Sequence, residues 1–137
     1  QALLVAAAVQ RAGEEGFTHN EINPDDSKNR MIQLWVLPEA PGEPAAYQVL
    51  QAQANGRTRV YGGPADEGNT FAARTTIDVA HLKAGESLKQ PGRSLAYITV
   101  GAGSSEDETL REGDLVDTRD FKFKALSDSK LIIAYEI

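Results

Sequence analysis

Phe121-Lys-Phe-Lys-Ala125, Ser127-Asp-Ser129 and Leu131-Ile-Ile-Ala-Tyr135 form the stretch that decides the fold. The first run alternates apolar and charged side chains with period two, as a strand with one buried and one solvated face does. Ser-Asp-Ser is turn chemistry, because short polar side chains bond to their own backbone. The last run is apolar and partly β-branched and predicts a further strand.

The same grammar extends upstream. Thr75 to Leu82 predicts a strand ended by Lys83-Ala-Gly-Glu86, and Leu95 to Val100 one ended by Gly101 and Gly103. On the first of these, Ile77, Val79 and His81 share one face and Asp78, Ala80 and Leu82 the other. His81 is then a strand-end imidazole, half exposed or bonded to a backbone group. Thr109-Leu110 leads into the turn Glu112-Gly-Asp114, and Leu115-Val116 follows. Gly113 and Asp114 read as turn formers rather than as chemistry.

Further back, Tyr47-Gln-Val-Leu50 and Thr58-Arg-Val-Tyr61 flank Asn55-Gly56, a dipeptide suited to the positive φ angles of a tight type I′ hairpin. Met31-Ile-Gln-Leu-Trp-Val-Leu37 predicts another strand, with Trp35 as a core aromatic whose indole N–H needs a partner. Pro38, Pro41, Gly42 and Pro44 form a stiff connector. It divides residues 1–40 from residues 45–137. About eight short strands after that connector, with little helical periodicity, predict an all-β sandwich or jelly roll.

Composition bounds the rest. A chain of 137 residues suffices for one ordinary domain. It has no cysteine, which excludes disulfides and thiolate sites and fits a reducing, cytoplasmic compartment. The net charge is −6, and Lys and Arg are scattered among acids. Nucleic acid is gripped by clustered basic residues, so direct nucleic-acid binding is not expected. The opening Gln1-Ala-Leu-Leu-Val-Ala-Ala-Ala-Val9 is too short to span a membrane and lacks a positive leader. It reads as a buried strand, with the chain beginning inside a domain.

Ala12-Gly-Glu-Glu-Gly-Phe-Thr-His19-Asn-Glu21-Ile-Asn23-Pro24, followed by the Gln33-Leu-Trp35 strand, resembles the pirin family. So does the downstream order Arg59-Val-Tyr-Gly-Gly63, Lys83-Ala-Gly-Glu86 and Arg111-Glu-Gly-Asp114. The resemblance runs from about Gln10 onward and is most specific between His19 and Trp35. Here two glutamates separate Gly13 from Gly16 where the family usually has one residue, and Asn20 stands where Ser is usual. The resemblance implies a bicupin: residues 1–40 as the end of an N-terminal, metal-type barrel, and residues 45–137 as a complete, metal-free C-terminal barrel.

It also implies a metal centre of three His and one Glu, of which His19 and Glu21 match one His and the Glu. Residues two apart on a strand share a face, so both could aim into a barrel. Imidazole with carboxylate suits Fe(II) or another divalent transition metal. The family's other two histidines come from a His-x-His pair, which this sequence lacks. In the second unit, the equivalent positions hold no histidine.

Two functions follow from the resemblance. One is flavonol dioxygenase activity of the quercetin 2,3-dioxygenase type in the full-length protein, on a small aromatic substrate, with Glu21 as ligand and proton acceptor. The other is a non-enzymatic, metal- or redox-responsive protein that acts through a protein partner; an inactive fragment is the third reading. Half a barrel exposes apolar surface, so self-association is also expected.

Overall fold

The structure, a computed structural model, describes residues 6–68 and 70–137. Two strands, β1 (Ala6–Arg11) and β2 (Ala46–Gln51), form a two-stranded sheet. Seven more form one antiparallel sheet: β3 (Gly56–Gly63), β4 (Ala73–Leu82), β5 (Ser87–Val100), β6 (Ala102–Ser105), β7 (Glu108–Arg111), β8 (Leu115–Ala125) and β9 (Ser129–Glu136). Their order is β3-β4-β9-β5-β8-β6-β7. The chain divides into two units, residues 10–47 and residues 48–137, the second also taking in the residues up to Val9. No helix among the described residues is long and apolar enough to cross a membrane.

The second unit is built on one core. Ala80 and Leu82 of β4, Leu88, Ala96 and Ile98 of β5, Leu110 of β7, Phe121, Phe123 and Ala125 of β8, and Leu131 and Ile133 of β9 are all buried together. Because β7 is an edge strand and β4 lies near the other edge, the sheet must curl to bring Leu110 into the same core as Leu82. Phe121 and Phe123, two apart, place stacked rings on the inner face with centroids 6.1 Å apart. The alternation that marked this strand in the sequence is what puts them there. Gly103 on β6 lets the strand pass over this stack: a Cβ there would lie 2.2 Å from Phe123 Cζ.

The all-β expectation holds, with local differences. The runs at 115–116 and 121–125 are one strand, β8, kinked at Asp120, whose φ is 53°. Opposite the kink, β5 bulges at Pro91-Gly92 between the pairs Gln90↔Phe121 and Arg93↔Arg119. Pro91 has no N–H for the ladder, and the Gly92 amide instead donates to Asp120 Oδ1 at 2.8 Å. Asn55-Gly56 does not close a tight hairpin. β2 pairs with β1, β3 pairs with β4, and of the two residues only Gly56 has a positive φ. The turns at Lys83–Glu86 and Arg111–Asp114 form as expected, each closed by a backbone bond of 3.0 Å.

The unit of residues 10–47 departs furthest from expectation. Residues 31–37 form no strand. Trp35 is 93% exposed and Leu37 89%, so Trp35 is not a core aromatic. A strand is held by hydrogen bonds to a neighbour and by a buried face, and no strand lies beside this run among the described residues. At the start of the chain, residues 1–5 of the expected strand lie outside the described residues. The strand that is described, β1, alternates half-buried with exposed positions and is not fully buried.

Candidate functional site

His19 and Glu21 lie in a stretch with no regular secondary structure. The pair is therefore not displayed on a strand, yet its side chains meet. His19 Nε2 is 3.4 Å from Glu21 Oε1, with the two side chains 46% and 43% exposed. Three neighbours shape the pair. The Phe17 ring lies 5.4 Å from the imidazole, centroid to centroid, and limits its rotation on one side. The Gln33 side-chain amide donates to Glu21 Oε1 and so fixes that carboxylate. Nearby, Asn23 braces the loop: its amide donates to the Ser27 carbonyl at 2.7 Å, and its Oδ1 accepts from the Asp25 N–H at 3.2 Å.

An imidazole nitrogen and a carboxylate oxygen at this separation fit two positions of a divalent transition-metal shell. The donor types suit such an ion; the number of donors does not complete it. Among the described residues no third His, Cys, Asp or Glu joins the pair. Gln33 was not singled out by sequence, although it opens the Gln-Leu-Trp motif. Its bond to Glu21 is the kind of outer contact that orients a metal ligand.

The remaining histidine belongs to the other unit. His81 is buried, at 8% exposed, with a bond to the backbone of Ala54 and no partner for Nε2. Burial, then the charge of Lys130, push it below its ordinary pKa, against the weaker pull of the Ala54 bond. It is a buried imidazole set among the strands of the larger sheet, and it lies outside the His19 and Glu21 pair.

A second polar concentration lies on the inner face of the larger sheet and was not read from sequence. Asp78, 5% exposed, accepts at Oδ2 from Arg57 Nε (3.0 Å), Arg57 Nη2 (2.7 Å) and the Tyr135 hydroxyl (3.0 Å). Arg57 also donates to Gln90 Oε1 at 2.6 Å and to the Lys89 carbonyl at 3.1 Å, and lies 5.6 Å over the Tyr135 ring. Burial is the first cause that raises the Tyr135 pKa; a bond from Arg59 opposes it. Arg59 is held above its ordinary value, first by that bond with Tyr135. Gln90 thus serves this hydrogen-bonded network.

No family model matches the chain. It is 28% identical to a Pseudomonas aeruginosa protein named as a candidate quercetin 2,3-dioxygenase, over 86% of this chain and 56% of that one. The bacterial pirin YhhW of Escherichia coli, crystallised in complex with nickel(II), superposes with a TM-score of 0.63 at 16% identity, over 73% of this chain and 47% of that chain. A second YhhW structure gives a TM-score of 0.61 over the same shares. The chain thus spans about half the length of the proteins it matches. Over most of its length this chain is similar to that candidate quercetin 2,3-dioxygenase, and its all-β fold matches that of the bacterial pirin.

Proposed function

We propose that His19 and Glu21 are two ligands of a divalent transition metal in a pirin-like dioxygenase that acts on a small aromatic substrate of the flavonol class. The observation that carries this reading is the 3.4 Å approach of His19 Nε2 to Glu21 Oε1, outside any strand that would force it. The curated relative's name and the nickel in the pirin relative support it. Bound there, the metal would supply Lewis acidity toward a substrate hydroxyl. Glu21 would take the proton of that hydroxyl, held in place by the Gln33 amide. A cytoplasmic setting fits the absence of cysteine.

Metal content decides the reading. The purified chain is loaded with Fe(II) or Ni(II), dialysed and measured by elemental mass spectrometry beside His19→Ala. About one metal per chain, lost in the variant, supports it. No retained metal in either protein removes the enzymatic reading for this polypeptide.

A second reading rests on a different observation. Met31, Leu34, Trp35 and Leu37 are each more than half exposed along one short run. Such a run suits a protein partner, including another copy of this chain. A protein that acts only through such contacts would show no flavonol turnover with metal bound and would form a stoichiometric complex.

A further inference from the structure

Asn55-Gly56 is the one Asn-Gly dipeptide in the chain, and the tight hairpin that would lock it does not form. Asn55 instead ends the connector of residues 52–55, outside any strand, and is exposed. β3 begins at the next residue, Gly56, whose φ is 94°. Beyond the chain neighbours, the atom nearest the place a Cβ would take at Gly56 is Gln53 Oε1, at 3.7 Å. The Asn55 amide donates to Glu86 Oε1 at 3.3 Å. That is beyond the usual range of about 2.7–3.2 Å, so the hold on the side chain is weak.

An asparagine side chain can be attacked by the backbone nitrogen of the residue that follows it. Access to that nitrogen and freedom of the backbone set how easily this happens. Glycine, with no Cβ, gives the most of both. The other asparagines are poorer sites. Pro24 offers no N–H after Asn23, and Glu21, Arg30 and Thr70 carry side chains beside the nitrogen that follows Asn20, Asn29 and Asn69.

We propose that Asn55 is a site of spontaneous, backbone-assisted deamidation, and that its product frees the connector of residues 52–55 from the turn at Lys83–Glu86. The Gly56 nitrogen gives its proton to solvent and bonds to Asn55 Cγ. The Cγ–Nδ2 bond breaks, and Nδ2 leaves as ammonia with a proton taken from solvent. Water then adds to one of the two carbonyls of the succinimide ring and opens it. Opening at Cγ gives aspartate; opening at the main-chain carbonyl gives isoaspartate, with the chain running through the former side chain. Either product puts a carboxylate where a donor to Glu86 stood, and the two like charges repel. Glu86 Oε2 also accepts from the Lys83 N–H at 2.9 Å, so its displacement reaches the turn. On the other side, the backbone of Ala54 bonds to the buried His81 ring, and movement of the connector uncovers that imidazole.

The test incubates the purified chain at mildly alkaline pH, folded and in urea, and maps its peptides by liquid chromatography and mass spectrometry. The mass change of amide to acid should appear at Asn55 in the folded chain, as two peptides of equal mass and different retention. Asn20, Asn29 and Asn69 should keep their amides over the same period. Conversion of Asn55 in urea alone overturns the proposal, because the fold then protects the site. Equal conversion at the other three asparagines overturns it as well. Asn55→Asp carries the new charge from the start and tests the consequence. Its Lys83 and Glu86 amide NMR signals should shift, its His81 ring should titrate closer to the ordinary range, and added Glu86→Gln should reverse the His81 change. Unchanged Lys83, Glu86 and His81 signals in Asn55→Asp overturn the release of the connector.

Discussion

Met31-Ile-Gln-Leu-Trp-Val-Leu37 and Leu131-Ile-Ile-Ala-Tyr135 are both apolar runs of strand-forming residues, and they meet opposite fates. The second is the inner part of β9, between β4 and β5, with Leu131 and Ile133 fully buried. The first has no ladder, and Trp35 and Leu37 are almost fully exposed. Composition gives both runs the capacity to be strands; a neighbour on each side makes only one of them a strand. β propensity therefore measures fitness for a half-buried pleated surface, and it is realised only where that surface exists.

The largest expected effect sharpens this contrast. Leu131→Ala removes a side chain with no solvent exposure from the shared core and should cost about 2–5 kcal/mol in urea unfolding. Trp35→Ala removes a larger side chain that is 93% exposed and should change stability by about 0.5 kcal/mol or less. Equal losses at the two positions would mean that the apolar run of residues 31–37 is covered in solution, and the contrast would fall.

Next comes the polar network. Asp78→Ala leaves Arg57 and the Tyr135 hydroxyl without their shared acceptor. Breaking a fully buried ion pair costs about 3–5 kcal/mol, and Arg57 is partly solvated, so roughly 2–3 kcal/mol is expected in the same assay. A loss under about 0.5 kcal/mol would show that the network contributes nothing net to folding.

His81 gives a smaller, pH-dependent effect with a definite sign. Its folded pKa lies below the unfolded value of about 6.5, so below that pH the unfolded chain binds more protons. Its contribution is fully present above about pH 6.5 and is lost as pH falls through that value toward the lower folded pKa. The groups responsible are the apolar burial of the ring and Lys130 on the adjacent strand. The urea midpoint should fall between pH 7 and 5 more steeply for the wild type than for His81→Gln. Parallel profiles would show that His81 does not titrate differently in the two states.

The sequence was legible where local pattern and tertiary context agree. Period-two alternation placed Phe121 and Phe123 on one face, and the turns at Lys83–Glu86 and Arg111–Asp114 sit where glycine and acid residues marked them. It was illegible where a breaker residue lies inside an element. Pro91-Gly92 hid the first half of β5, and the glycines at 101 and 103 hid β6, because a bulge and a close packing contact use the same residues as a loop. Of the candidate metal site, the His19 and Glu21 pair came from the motif, but Gln33, twelve residues on, could be tied to Glu21 only in three dimensions. The Asp78 network was hidden for the same reason. Arg57, Asp78, Gln90 and Tyr135 are far apart in the chain, and no local spacing joins them.

The smallest effect on folding should be the largest on association. Exposed apolar side chains at Met31, Leu34, Trp35 and Leu37 gain nothing in an isolated chain and are stabilised once another surface removes water from them. A run of strand-forming residues that pairs with no strand among the described residues can also add as a strand to a second copy. Light scattering across a concentration series should therefore show a mass above one chain, and Trp35→Ser with Leu37→Ser should lower it while leaving the urea midpoint unchanged. The two readouts separate the causes. A fall in both mass and midpoint would mean that these residues support the fold. A single-chain mass for the wild type at high concentration would mean that the run of residues 31–37 tolerates water, and that its exposure carries no partner with it.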